Sequence, residues 1–200
     1  MYLQCSAFVD IKVLLVPLKE NPMTSLLNTI EPEKAEGKVK ELYDHVTELW
    51  GGVPNAMKLH SVSPFLIEGQ MAYIGYFMQR STMSAKLQTL IRLLVSTDSD
   101  CSYCININTA MLLQEGMTLE EVNAIKKDPS LAPLEDNERG LLLHVLKATH
   151  TPKSIRKEDI AKLRDLQFSE QEIFEAVHYG ANMVMVDILF DSFQVENEQM

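Results

Sequence analysis

Two cysteines three residues apart, in Cys101-Ser-Tyr-Cys104, stand at the mouth of a predicted helix. At that spacing the two thiols share one helix face. First-turn amides point toward the thiolate that must form before a thiol can attack. Type and spacing therefore point to a redox pair, with inert helical cysteines and a metal half-site as the alternatives. A structural zinc normally takes four ligands, and neither a second C-x-x-C nor a paired His-x-x-x-His completes such a set here. No metal or cofactor is expected on this reading.

The elements that position this pair belong to a chain of 200 residues, enough to bury a substantial core in one domain with or without an appendage. With 46% hydrophobic and 23% charged residues, and no apolar run approaching membrane-span length, a bilayer-spanning protein is not expected. A net charge of −10 and a pI near 5.0 argue against nucleic acid and anionic membrane as partners. Three cysteines, with Cys5 standing alone, do not make the framework of a small secreted protein, so a reducing cytoplasm is expected. Residues 11–19 are apolar but lack the flanks of a signal peptide, and Met23 is a candidate start.

From Pro32 onward, apolar residues recur at three- and four-residue spacing without sustained alternation, which predicts an all-α fold. The first helix is expected over residues 33–50, stopped by Gly51-Gly52. Ser63-Pro64 opens a long helix rich in Met and aromatics, read as core or subunit interface. Ser84 caps the next helix, whose buried face is Leu87, Leu90, Ile91, Leu94 and Val95, and which leads through Asp98-Ser-Asp100 to the cysteine turn. Beyond Gly116, Thr118 to Glu121 and Ser169 to Glu172 are capping boxes. Later helices are expected over residues 135–149, 157–166 and 170–193. The organisation expected is an extension over residues 1–27, a helical domain over 28–193 and a tail over 194–200.

Several motifs in order, Gly52-Val-Pro-Asn55, His60-Ser-Val-Ser-Pro64, the cysteine turn from Ser96 to Cys104, and Gly116, resemble the carboxymuconolactone decarboxylase superfamily in its AhpD-like, peroxidase-related branch. The resemblance implies an all-helical, oligomeric AhpD-like domain (dimer, trimer or hexamer) with thiol-dependent antioxidant activity. It implies that Cys104 attacks a peroxide or disulfide substrate, that Cys101 resolves the intermediate as a disulfide, and that an external dithiol protein reduces it. Members with a proton relay carry a Glu and two His where this chain has Thr89, Tyr103 and Asn108. None of these three titrates near neutrality. Asn108, one turn beyond Cys104, is expected to orient a thiolate or a water without deprotonating it. Asp98 and Asp100 are expected to disfavour the thiolate, against the helix-terminal amides. The expected activity is a weak alkylhydroperoxidase or disulfide reductase.

The resemblance also places the loop of His60 beside the thiols, which makes His60 a candidate substitute base, with His178 second. His45, His144 and His150 are read as surface or satisfied core imidazoles. Thr89 is expected to bond back to its own backbone, and Gln88 faces the wrong way to replace the missing Glu. A non-catalytic redox-sensing oligomer is the alternative function. A carboxymuconolactone decarboxylase is the weaker one, because only Arg92 and His60 could meet an anionic lactone near the cysteines.

Overall fold

The computed structural model describes residues 24–198. Cys5, the apolar segment 11–19, Met23 and most of the expected extension lie outside the described residues. Among the described residues the chain is all-α, with nine α-helices and no strand: α1 (Gly37–Trp50), α2 (Asn55–His60), α3 (Pro64–Gln79), α4 (Ala85–Ser99), α5 (Ser102–Gln114), α6 (Leu119–Lys127), α7 (Asp136–His150), α8 (Lys157–Asp165) and α9 (Glu170–Ser192). The all-α expectation is met. The residues form two compact units, one ending at Gly75 and taking back the chain from Phe193, the other running from Tyr76 to Ser192.

In the first unit, α1 starts later than expected. Pro32–Lys34 form a separate 3-10 turn, and Gly37 has a φ of +52°, so a right-handed helix cannot run through from residue 33. Val39, Leu42, Tyr43 and Val46 of α1 pack with Val53, Met57, Ile67 and Met71, and the Tyr43 hydroxyl donates to the Ile30 carbonyl at 2.8 Å. Gly51, at φ +83°, ends α1 with its N–H on the Thr47 carbonyl. Asn55 ties α2 to the chain end, its side-chain amide donating to the Glu196 carbonyl at 3.0 Å and its N–H to Glu198 at 2.8 Å.

In the second unit, α4 is the central element. Its sequence suggests one buried face, yet Leu87 to Ser96 are all buried except Arg92. The reason is tertiary: α5, α7 and α9 pack around α4, and α6 touches it as well. Ser84 caps α4 as expected, accepting from the Leu87 N–H, and both predicted capping boxes are present. Gly180 permits the close approach of α9 to α7, since a Cβ there would lie 2.5 Å from Val145 Cγ1. By length and composition α9 could cross a membrane, but the side bearing Ile173, Ala176, Met183 and Phe190 is buried within this unit.

Candidate functional site

The cysteine pair is positioned by a tight hairpin of α4 and α5 in the second unit. Asp100 closes α4 in the left-handed conformation (φ +58°), which Asp tolerates better than most residues, and the Cys101 N–H bonds the Ser96 carbonyl at 3.1 Å. Cys101 then occupies the N-cap position of α5 and Cys104 its third residue, so both sulfurs sit at the helix mouth. They are free thiols, and both are buried, at 0% and 2% exposure. A redox pair needs accessible sulfurs, and in this conformation neither is accessible. However, Ser99, Asp100 and Ser102 around them are exposed, so the pair lies directly beneath a surface turn.

The carboxylate beside the thiols is Asp187 of α9, 1% exposed. One oxygen of Asp187 and both sulfurs lie within 4.8 Å of one another. Oδ1 of Asp187 accepts from the Ser96 hydroxyl at 2.8 Å, while Oδ2 is buried outside good hydrogen-bond geometry. The Cys104 thiol is pushed well above its ordinary range by its contact with Cys101, then by burial and by the charge of Asp187. Burial also pushes Asp187 up, opposed by hydrogen bonding from Ser96 and then from Cys104, Ser99 and Cys101. This corrects the assignment to Asp98 and Asp100: both are exposed, and Asp98 faces His150 at 3.7 Å.

The other predicted residues take different roles. Tyr103 is buried edge-on against Phe190 of α9, with ring centroids 5.3 Å apart. Asn108 does not address sulfur: its amide donates to the Cys104 carbonyl at 2.8 Å and its oxygen accepts from Arg92 Nε at 2.7 Å. Arg92 is the clamp of this region, reaching Asn108 and Met111 on α5, Thr89 on its own helix and the Tyr179 hydroxyl on α9. Its guanidinium also lies 5.9 Å from the centroid of the Tyr179 ring. These contacts commit to neutral protein groups the cation that a lactone site would need.

Thr89 donates back to the Ala85 carbonyl, and Gln88 donates to the Phe77 and Met83 carbonyls, so neither replaces the missing acid. His60 belongs to the first unit, where its ring bonds the Ala56 carbonyl at 2.8 Å and burial lowers its pKa. His178 lies on the exposed side of α9, 6.0 Å from the Phe174 ring. A surface cleft of about 290 Å³ lined by Thr97, Asp98, Lys126, Lys147 and His150 contains none of the thiol-site residues.

Asp187 went unnoticed in the sequence, and Ser96 was noticed only as part of the cysteine turn, with no role. The signal for Asp187 was present: a lone acid in the apolar run from Met183 to Phe190, in register with buried Met183 and Phe190 on one helix face. Among the described residues, Cys101, Cys104 and Asp187 are the one group of three side chains spaced to hold a metal ion.

No family model and no curated protein matches the sequence. Solved structures do. An uncharacterised peroxidase-related protein from Ralstonia eutropha, with an alkylhydroperoxidase AhpD core, superposes at a TM-score of 0.77 with 16% identity, covering 88% of this chain and 94% of its own. An uncharacterised peroxidase-related protein from Silicibacter gives 0.68 with 19% identity, covering 86% and 88%. A protein of unknown function from Agrobacterium tumefaciens, linked to antioxidant defence under the name AhpD, gives 0.56 with 20% identity, covering 70% and 94%. At these identities the likeness is one of fold, and by fold this chain is AhpD-like.

Proposed function

We propose that this protein is a thiol-dependent redox protein, a slow hydroperoxidase or disulfide reductase. The observation that carries the reading is that both sulfurs are held within 4.8 Å at one helix mouth of an AhpD-like fold. With a hydroperoxide, the Cys104 sulfur attacks the distal peroxide oxygen. The O–O bond breaks, an alcohol leaves with the thiol proton, and Cys104 becomes a sulfenic acid. The Cys101 thiol then displaces water from it to form the disulfide, which an external dithiol protein reduces.

Burial and the Asp187 charge both oppose the thiolate, so turnover is slow and requires opening of the turn over residues 99–102. A reducing compartment such as the cytoplasm suits this cycle. Stoichiometric loss of two thiols on peroxide treatment, absent in Cys104→Ser, tests the proposal; retention of both free thiols would remove it. The lack of a titrating relay, with Thr89, Tyr103 and Asn108 in its place, favours a second reading, a redox sensor that switches once without catalysis. Several cycles with a dithiol reductant select the enzyme, and a single cycle selects the sensor.

The protein is also proposed to self-associate through α9. Phe174, His178, Ala181, Met185 and Ile188 are all exposed and spaced alternately four and three residues apart, the spacing of a helix–helix seam. Phe174 is 68% and Ile188 61% exposed. Sedimentation as a dimer or larger, reduced to monomer by Ile188→Glu, is the expected result; a monomeric parent at micromolar concentration contradicts it.

A further inference from the structure

We propose that the reduced Cys101–Cys104 pair and Asp187 form a binding site for one thiophilic divalent cation of the Zn2+ class. The site is the one read above as a redox pair, and the proposal rests on that reading only in requiring both thiols reduced. Three donor atoms converge within 4.8 Å. Tetrahedral zinc with Zn–S near 2.3 Å and Zn–O near 2.1 Å sets donors about 3.6–3.8 Å apart, so side-chain adjustments of roughly 1 Å close the site around an ion.

The carboxylate is prepared for this role. The Ser96 hydroxyl fixes Oδ1, and Oδ2 is buried outside good hydrogen-bond geometry, with the Cys104, Ser99 and Cys101 side chains as the neighbouring donors, so the carboxylate is free to ligate once the thiols lose their protons. A hydrogen bond to the non-ligating oxygen is the usual outer support of a metal-bound carboxylate. A carboxylate buried beside two thiols is otherwise a costly arrangement. A divalent cation reverses that cost, because it draws both protons off sulfur and neutralises most of the charge created. The protein supplies three ligands, so a fourth position is left for water, the ligand count of an open rather than a closed zinc site. The exposed residues Ser99, Asp100 and Ser102 that cover the pair mark the route for the ion, with Asp98 and Asp100 exposed at its surface.

Titration of the reduced, chelator-treated full chain with Zn2+ against a competing chromophore is expected to give one ion per chain. Cys5→Ser should leave that unchanged. The double variant Cys101→Ser/Cys104→Ser should abolish binding, and Asp187→Asn, which keeps an acceptor for Ser96, should weaken it at least ten-fold, about 1.4 kcal/mol. Co2+ added to the unsubstituted chain should give a tetrahedral spectrum with a charge-transfer intensity of two thiolates, a readout that does not depend on the Asp187 variant folding. Zinc binding no greater than that of the double-cysteine variant, loss of binding in Cys5→Ser, or a three-thiolate cobalt spectrum would each overturn the proposal. Thiol loss on peroxide treatment of the metal-free protein is a separate measurement, so failure of the metal site and failure of the redox reading are distinguishable.

Discussion

Replacing Arg92 with Met removes the clamp that joins α4 to α5 and α9 while keeping most of the side chain's apolar length. The largest consequence falls on Asn108, whose oxygen sits in a residue 2% exposed and accepts from Arg92 Nε at 2.7 Å. Leaving a buried acceptor unpaired costs about 1–3 kcal/mol, and a hydrogen bond to a charged donor contributes about 1.5–3 kcal/mol. Arg92 is half-buried, so water can reach part of the vacated ground near Thr89. The net expectation is a loss of about 2–4 kcal/mol. For a chain of this size that lowers the thermal midpoint by roughly 5–15 °C. Circular dichroism on heating measures it. The double variant Arg92→Met/Asn108→Leu, in which both polar partners are gone, should recover more than about 1 kcal/mol relative to additivity. An Arg92→Met midpoint within about 2 °C of the parent, or strict additivity in the cycle, would refute the clamp.

Three further outcomes are expected. In metal-free protein, Asp187→Asn should speed alkylation of Cys104 near neutral pH: a full charge within 4.8 Å opposes the thiolate by about 3 kcal/mol at an effective dielectric near 20. Lower intrinsic nucleophilicity cancels about half of that gain, so a rate increase on the order of ten-fold is expected, and an unchanged or slower rate contradicts the assigned charge. Gly180→Ala should destabilise, because its Cβ would meet Val145 at 2.5 Å and Thr149 at 3.0 Å and the overpacking, about 1–3 kcal/mol, outweighs the helix gain of about 1 kcal/mol; Gly69→Ala, with nothing within 4 Å, should stabilise, and thermal midpoints of equal sign would contradict this. His60 and His144 both have pKa values lowered by burial, so the unfolded chain binds their protons first: their contribution is full above about pH 6.5 and is lost as pH falls through the lowered folded values. His144→Gln should flatten that loss, as read from melting midpoints between neutral and mildly acidic pH.

The helices, their caps and the cysteine turn were legible because each depends on local chemistry: Ser84, Thr118 and Ser169 cap the helices they precede, and Gly51 ends α1. The start of α1 was misread because helical periodicity runs on through Glu36 while the backbone at Gly37 turns left-handed. The thiols were found from spacing alone, but their surroundings were not. Asp187 reaches them from a helix distant in sequence, and Asn108 turns toward Arg92 rather than sulfur because the half-buried guanidinium offers it a charged donor. Such pairings are set by how α4, α5 and α9 pack, which no local pattern encodes.

The most direct measurement is a mass-spectrometric count of free thiols at Cys101 and Cys104 in the reduced, metal-free chain before and after excess hydroperoxide. The account predicts that both are lost together as one intramolecular disulfide, and that Cys104→Ser leaves Cys101 free. Two thiols that stay free, or that oxidise independently of each other, would contradict it.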